Sequence, residues 1–155
     1  MSVKIINGNL LDATEDIICH QVNCQGVMGS GVAKAIREKW PWVFASYHRC
    51  CERNNNDSTR LFGTIWGVKI DGDSRWLVNM FAQNLYGYDG NRYTSYDAFY
   101  KCLERIRDGD GLQNCSIAFP YKIGSDRGGA SWDVIYAMIC DVLGDRDVTI
   151  YRLEE

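Results

Sequence analysis

The sequence predicts a three-layer α/β domain with a largely parallel, mixed central sheet, because predicted strands alternate with predicted helices along most of the chain. Two observations support this class. The predicted strand Ile17–Val22 is apolar on both faces at its start, as expected of a strand covered by helices. Two glycine-rich segments each follow an apolar strand and precede a helix, which is where α/β sheets bind ligands.

The first third of the chain supplies two strands and two helices. Residues 3–6 form the first strand, which ends at the turn-forming residues 7–9, and Ile17–Val22 forms the second. After the glycine-rich residues 26–31, helical spacing predicts a helix over 32–39. Pro41 ends it, and a second helix follows over residues 42–51.

The rest of the chain continues the alternation after a polar loop at residues 54–58. The predicted strands are residues 61–68, 76–81, 116–119 and 148–153, and the predicted helices are residues 96–106 and Trp132–Leu143. Gly144 follows the last helix as a C-terminal cap does. There is no internal repeat and no linker, so the sequence predicts a single domain over residues 1–155.

Charge and hydropathy argue against two classes of function, non-specific nucleic-acid binding and membrane insertion. The chain has 17 Lys and Arg against 20 Asp and Glu, a net charge of −3, which argues against non-specific nucleic-acid binding by charge alone. A small nucleotide held by backbone amides is compatible with this balance. No stretch approaches the ~20 apolar residues of a membrane helix, and residues 1–11 are too short and polar for a signal peptide. We therefore expect a cytoplasmic protein without membrane contact.

The cysteine and histidine pattern predicts no metal and no cofactor. The seven cysteines form no CxxC pair, and the two histidines, His20 and His48, are not at zinc spacing from a cysteine pair. Most of the cysteines lie in apolar runs, which favours reduced thiols.

The two glycine-rich segments indicate an anion site. Gly29, Ser30 and Gly31 let the backbone approach a ligand, and a helix starting near Val32 directs amide N–H groups at it. Residues 124–129 offer a second set of amides, so the two segments together would enclose a diphosphate. Neither is a Walker A loop and the first is not a GxGxxG motif, so hydride chemistry gains no support. The alternative is that these glycines only make tight turns.

The block of residues 20–33, together with residues 120–124 and Trp132, resembles the macrodomain family. Within that family it is most similar to the branch of small bacterial, bacteriophage and fungal proteins related to ADP-ribose 1''-phosphate phosphatases. The resemblance covers nearly the whole chain. It implies a three-layer α/β/α sandwich that binds ADP-ribose, or ADP-ribose 1''-phosphate, in a cleft on top of the sheet.

The resemblance also implies site residues. Asn9 takes the place of the family's adenine-binding aspartate, so its amide oxygen would accept from the adenine amino group. Tyr151 is a candidate for stacking on adenine, or else a half-buried strand tyrosine. The other implied ligand contacts are Leu10, Gly29, Ser30, Gly31, Val32, Gln83, Gly124, Ser125, Arg127, Gly128 and Gly129.

Three residues are the implied catalytic groups: His20, Asn23 and Asp126. Asn23 matches the family's distal-ribose asparagine, and His20 at the end of its strand is a candidate general base or acid. The acid that this branch tends to carry before the tryptophan is replaced by Ser131, so Asp126 or Asp133 would supply the carboxylate. These residues predict metal-independent hydrolysis of ADP-ribose 1''-phosphate to ADP-ribose and phosphate.

Two alternatives stay open at this point. One is release of ADP-ribose from a modified macromolecule, in the same pocket but with an open distal end. Residues 79–83 contain no lysine, which disfavours the lysine-dependent mechanism of a related macrodomain branch. The other is a non-catalytic module that binds ADP-ribose, which the serine at position 131 favours. The oligomeric state is left open.

Overall fold

A computed structural model of the chain describes residues 2–72, 74–87 and 89–153. The strands are β1 (Val3–Asn7), β2 (Ile17–Val22), β3 (Ile65–Asp71), β4 (Arg75–Phe81), β5 (Ile117–Pro120) and β6 (Val148–Arg152). The helices are α1 (Gly31–Lys39), α2 (Pro41–Arg53), α3 (Ser58–Leu61), α4 (Tyr96–Asp108) and α5 (Trp132–Leu143). Among the described residues, no helix is long and apolar enough to cross a bilayer.

The six strands form one mixed sheet in the order β1-β6-β5-β2-β4-β3. All neighbouring pairs are parallel except β3 with β4, which is antiparallel. The carboxyl ends of β5, β2 and β4 therefore meet at the same edge of the sheet. The mixed, largely parallel sheet that the sequence predicted is confirmed.

Helices cover both faces of this sheet. On one face, Ile17 and Cys19 of β2 belong to a core cluster with residues of α4 and α5. On the other face, Ile18 and Val22 pack with residues of α1 and α2. Alternate residues of one strand thus reach opposite helical layers, because successive strand side chains point to opposite faces. The predicted three-layer α/β/α arrangement is confirmed.

The start of the strand predicted over residues 61–68 is wrong. Asp57 accepts a hydrogen bond from the Thr59 amide at 2.9 Å and caps the short helix α3, so Leu61 is helical. Gly63, with φ of +76°, redirects the chain before β3 begins at Ile65. Local capping chemistry overrides the apolar run that suggested a longer strand.

Helix α4 provides a test of the core. Leu103 is fully buried, whereas Arg105 of the same helix is exposed. We expect Leu103→Ala to lower the free energy of unfolding by about 2–5 kcal/mol, because it removes buried methyl groups and leaves a cavity. Arg105→Ala is the matched control and should change it by about 0.5 kcal/mol or less. Urea denaturation followed by circular dichroism measures both, and equal effects would contradict the packing described for α4.

Candidate functional site

A cleft opens at the carboxyl edge of the sheet, above the ends of β5, β2 and β4. The segments that follow these three strands form its walls. Its described lining consists of residues 20–23, 27, 29–33, 83, 86, 87, 120–124 and 126–128. The cleft therefore lies at the edge where parallel α/β sheets bind ligands.

The N-terminus of α1 is open toward this cleft. Ser30 precedes the helix in an extended conformation, and its side chain makes no capping hydrogen bond. The amides of Gly31, Val32 and Ala33 have no hydrogen-bond acceptor among the described residues. Unpaired first-turn amides and the positive end of the helix dipole together suit an anion.

Hydrogen bonds of Thr94 connect the second glycine-rich segment to the rest of the site. Its amide donates to the Gly128 carbonyl at 3.0 Å and its hydroxyl donates to the Gly124 carbonyl at 2.8 Å. The Gln21 side-chain amide donates to the Thr94 hydroxyl at 2.7 Å and to the Gln83 side-chain oxygen at 2.8 Å. One buried network thus joins the segments that follow β2, β4 and β5.

The charged groups of the cleft lie on the second glycine-rich segment. Of the described lining residues, Asp126 is the only carboxylate, and Lys122 and Arg127 are the only lysine and arginine. All three are exposed. Gln83 and Tyr86 also line the cleft and add no carboxylate, lysine or arginine to it. Among the described residues, no group of three or more His, Cys, Asp or Glu side chains is placed to hold a metal ion.

His20 lies at the base of the cleft and is almost fully buried. Its Nε2 atom is 2.6 Å from the Asn79 side-chain oxygen. Burial lowers the pKa of His20 from its usual 6.5 to about 4, although the hydrogen bond to Asn79 acts in the opposite direction. The ring is therefore neutral near pH 7. Of the two roles predicted from the sequence, this environment favours a hydrogen-bond acceptor or base over an acid.

Asn23 lines the cleft, but its side chain is hydrogen-bonded to other residues of the chain. Its side-chain oxygen accepts from the Gln25 amide at 2.9 Å and the Tyr47 hydroxyl at 2.8 Å, and its amide donates to the Val27 carbonyl at 2.8 Å. These bonds hold the turn that leads into α1. A catalytic role for Asn23 stays a prediction.

Three of the predicted adenine-site residues do not belong to the cleft lining. Asn9 uses its side-chain oxygen to accept from the Leu11 amide at 2.9 Å, which begins a 3-10 turn. Leu10 turns its side chain into the core, so only its backbone is available to a ligand. Tyr151 donates its hydroxyl to the Glu15 carboxylate at 2.6 Å. Their contact with adenine stays a prediction.

Ser125 and Gly129 also lie outside the described lining and shape the second segment instead. The Ser125 amide donates to the Lys122 carbonyl at 2.9 Å. Gly129 has φ of +71°, and a Cβ there would lie 2.8 Å from the Asn91 carbonyl. The predicted residues that do line the cleft are His20, Asn23, Gly29, Ser30, Gly31, Val32, Gln83, Gly124, Asp126, Arg127 and Gly128.

The sequence analysis did not predict the contacts of Gln21, Thr94 and Asn79. Gln21 carried a usable signal, since it is polar and lies near the carboxyl end of a predicted strand. Thr94 belongs to residues 93–97, for which the sequence leaves open a loop before a helix or a wall of the distal pocket, but its bond to Gln21, 73 residues away, has no sequence pattern. Asn79 lies in the middle of a predicted apolar strand, where a buried amide has no sequence pattern of its own.

The chain is similar in sequence to several known proteins. No family model matches the chain. It is 28% identical over 148 residues to a DNA ADP-ribosyl glycohydrolase of Mycobacterium tuberculosis, which covers 94% of this chain and 40% of that protein. It is 40% identical over 53 residues to an ADP-ribose 1''-phosphate phosphatase of Aspergillus oryzae, which covers 34% of this chain and 26% of that protein. The chain thus matches two fifths or less of the length of these relatives.

Similarity in fold to solved structures covers almost the whole chain. The macrodomain of Thermus aquaticus DarG superposes on the chain with a TM-score of 0.77 at 22% identity, over 99% of this chain and 98% of that one. The sheet and its two helical layers define a three-layer α/β sandwich. The particular fold is that of the macrodomains, so the fold that the sequence resemblance implies is confirmed.

The burial of His20 predicts a pH-dependent stability. In the native state its pKa is about 4, whereas in the unfolded chain it is close to 6.5. The stability from this group is complete above pH 6.5 and is lost as the pH falls toward 4, by about 3 kcal/mol. Urea denaturation of the wild type and of His20→Gln between about pH 7 and pH 4 isolates this contribution as the difference between the two curves. Parallel curves would contradict a buried, neutral His20.

The contact between Gly128 and Thr94 predicts a second effect on stability. A Cβ at Gly128 would overlap the Thr94 hydroxyl oxygen and would lie 2.6 Å from the Gly124 carbonyl. We expect Gly128→Ala to lower the free energy of unfolding by about 1–3 kcal/mol, because the segment has to move. Gly29→Ala is the control, since a Cβ there would only make ordinary contact at 3.6 Å. Chemical denaturation of both variants tests the prediction, which fails if Gly128→Ala is as stable as Gly29→Ala.

Proposed function

We propose that the chain binds an ADP-ribose group in this cleft and hydrolyses the bond at C1'' of the distal ribose, releasing ADP-ribose from a modified macromolecule. One observation carries the proposal. The uncapped N-terminus of α1 and the glycine-rich segment held by Thr94 lie on the same cleft. Two facing groups of backbone amides suit a diphosphate. The names of both sequence relatives refer to ADP-ribose or an ADP-ribosyl group.

The charges suggest how the ligand lies. Lys122 and Arg127 border the second glycine-rich segment, so the diphosphate belongs between this segment and α1. We place the adenine toward β1 and β6, near Asn9 and Tyr151, where the sequence resemblance implies it. We place the distal ribose at Gln83 and Tyr86, which line the same cleft as Asp126.

The side chains that we place at the distal ribose favour a glycosidic bond over a phosphate ester. A phosphate monoester carries up to two negative charges, which need cations or many donors for stabilisation. Gln83, Tyr86 and the neutral His20 offer no positive charge there. The glycohydrolase relative also aligns with far more of this chain than the phosphatase relative does.

The proposed reaction needs a positioned water. His20 would accept a hydrogen bond from a hydroxyl group of the water or ribose, and Asp126 is the carboxylate that can take up the proton. Water adds to C1'' as the bond from C1'' to the acceptor atom breaks, and the acceptor leaves with a proton. The absence of a lysine in residues 79–83 disfavours a Schiff-base intermediate.

Hydrolysis of ADP-ribose 1''-phosphate is the second candidate. The specific observation in its favour is the higher identity, 40%, to the Aspergillus oryzae phosphatase within the 53 aligned residues. It uses the same binding cleft and differs only in the group on the distal ribose.

Substitution of Asp126 tests the proposed activity. We expect Asp126→Asn to reduce the turnover of an ADP-ribosylated DNA oligonucleotide or protein about 100-fold, because a carboxamide cannot act as a base. Asp133→Asn is the control, because Asp133 is an exposed aspartate outside the cleft lining. The assay follows release of ADP-ribose by chromatography, and calorimetry on the same samples measures ADP-ribose binding.

Each outcome of that experiment has a definite meaning. Phosphate release from ADP-ribose 1''-phosphate without turnover of either macromolecule replaces the first candidate with the second. Tight ADP-ribose binding without any turnover contradicts the hydrolase and leaves a binding module. No binding of ADP-ribose contradicts the proposal altogether.

A further inference from the structure

His20 and Asn79 form a buried pair at the floor of the cleft. The two residues lie opposite each other on the parallel strands β2 and β4. They are 1% and 0% exposed, and the His20 Nε2 atom lies 2.6 Å from the Asn79 side-chain oxygen. At this distance a hydrogen bond joins the two groups, so one of them carries the hydrogen.

A contact between Asn79 and the neighbouring strand β3 determines whether His20 or Asn79 carries the hydrogen. The Asn79 side-chain amide donates to the Trp66 carbonyl at 3.0 Å, and Trp66 lies opposite Asn79 on β3. With its amide group directed to Trp66, Asn79 presents its oxygen to the histidine. An amide oxygen only accepts hydrogen bonds, so the hydrogen lies on His20 Nε2. The reverse orientation of the Asn79 amide would set its oxygen against the Trp66 carbonyl.

The other ring nitrogen is then left as a free acceptor. A neutral imidazole has one N–H group, so with the hydrogen on Nε2 the Nδ1 atom of His20 carries a lone pair. Nδ1 is buried and has no hydrogen-bond partner in the described part of the chain. A buried acceptor without a donor is costly. His20 borders the cleft, but its Nδ1 atom has almost no exposed surface, so a hydroxyl group of a ligand reaches it only when the adjoining cleft lining shifts.

We propose that Asn79 is a positioning residue, which holds His20 in the Nε2–H tautomer so that Nδ1 accepts a hydrogen bond from a hydroxyl group in the cleft. The hydroxyl belongs to the attacking water or to the distal ribose, and in this respect the inference rests on the proposed function. The same pair excludes the opposite role for Nδ1, because this tautomer has no N–H at that atom to donate to a ligand.

The tautomer can be measured without any assay of activity. The chain has only two histidines, so ¹⁵N-histidine labelling gives two imidazole spin systems, and His48→Gln identifies the signals of His20. For the unliganded wild type near neutral pH we expect a protonated Nε2 and an unprotonated Nδ1. A protonated Nδ1 would overturn the inference whether or not the protein is an enzyme.

Two substitutions at position 79 separate positioning from packing. Asn79→Leu removes the acceptor, and we expect it to abolish the tautomer preference and to reduce kcat about 100-fold with little change in KM. Asn79→Gln keeps both an acceptor oxygen for Nε2 and an amide donor for the Trp66 carbonyl, and we expect it to retain the Nε2–H tautomer and most of the turnover. Loss of turnover in both variants with the tautomer unchanged would assign Asn79 a structural role and overturn the inference.

Thr149→Val is the matched control for a buried polar group. The Thr149 hydroxyl lies on β6, is buried and has no hydrogen-bond partner in the described chain, so its removal should leave the His20 signals and the turnover unchanged. Altered His20 signals in this control would mean that any core substitution moves them, which overturns the variant-based argument. A wild-type Nε2–H tautomer in a protein without turnover would contradict the proposed function but not the pairing of His20 and Asn79.

Discussion

Parallel hydrogen bonding of β2 to β4 on one side and to β5 on the other is the constraint on which the site depends. In the β2–β4 register, Val22 lies opposite Phe81, so the two strands end at the same level. The segments that follow them start side by side, and the Cys24 amide donates to the Asn84 carbonyl at 3.1 Å. Residues far apart in sequence are thus brought to one edge by backbone pairing alone. Short side chains on these segments are therefore enough to complete the cleft.

The polar network at this edge stabilises the walls and limits their freedom. Thr94 binds two carbonyls of the second glycine-rich segment while accepting a hydrogen bond from Gln21. These bonds pair polar groups of three different segments, although the Gln21 side-chain oxygen has no hydrogen-bond partner in the described chain. The contact at Gly128 is close, since no side chain fits between the segment and Thr94. Rigid walls of this kind keep a binding site preorganised.

The sequence predicted the layers, the mixed sheet and the two glycine-rich segments, because these depend on periodicity and local turn chemistry. It was less informative for side chains whose role depends on distant partners. The glycines of the first segment line the cleft as predicted, whereas Leu10 packs into the core and most hydrogen bonds of Asn23 hold its own turn. The state of His20 depends on burial and on Asn79, 59 residues away. Only the fold brings such pairs together.

Because α1 has no side-chain cap, a ligand in the cleft would supply the hydrogen-bond acceptors for its first turn. Most helices satisfy their first amides with a residue of their own, but here Ser30 does not do so. An anion at the proposed site would complete the hydrogen bonding of α1 from outside the chain. Helix stability and site occupancy would then be thermodynamically linked, so a ligand at that site would stabilise the protein. Inorganic phosphate or sulfate would compete with it for the same amides.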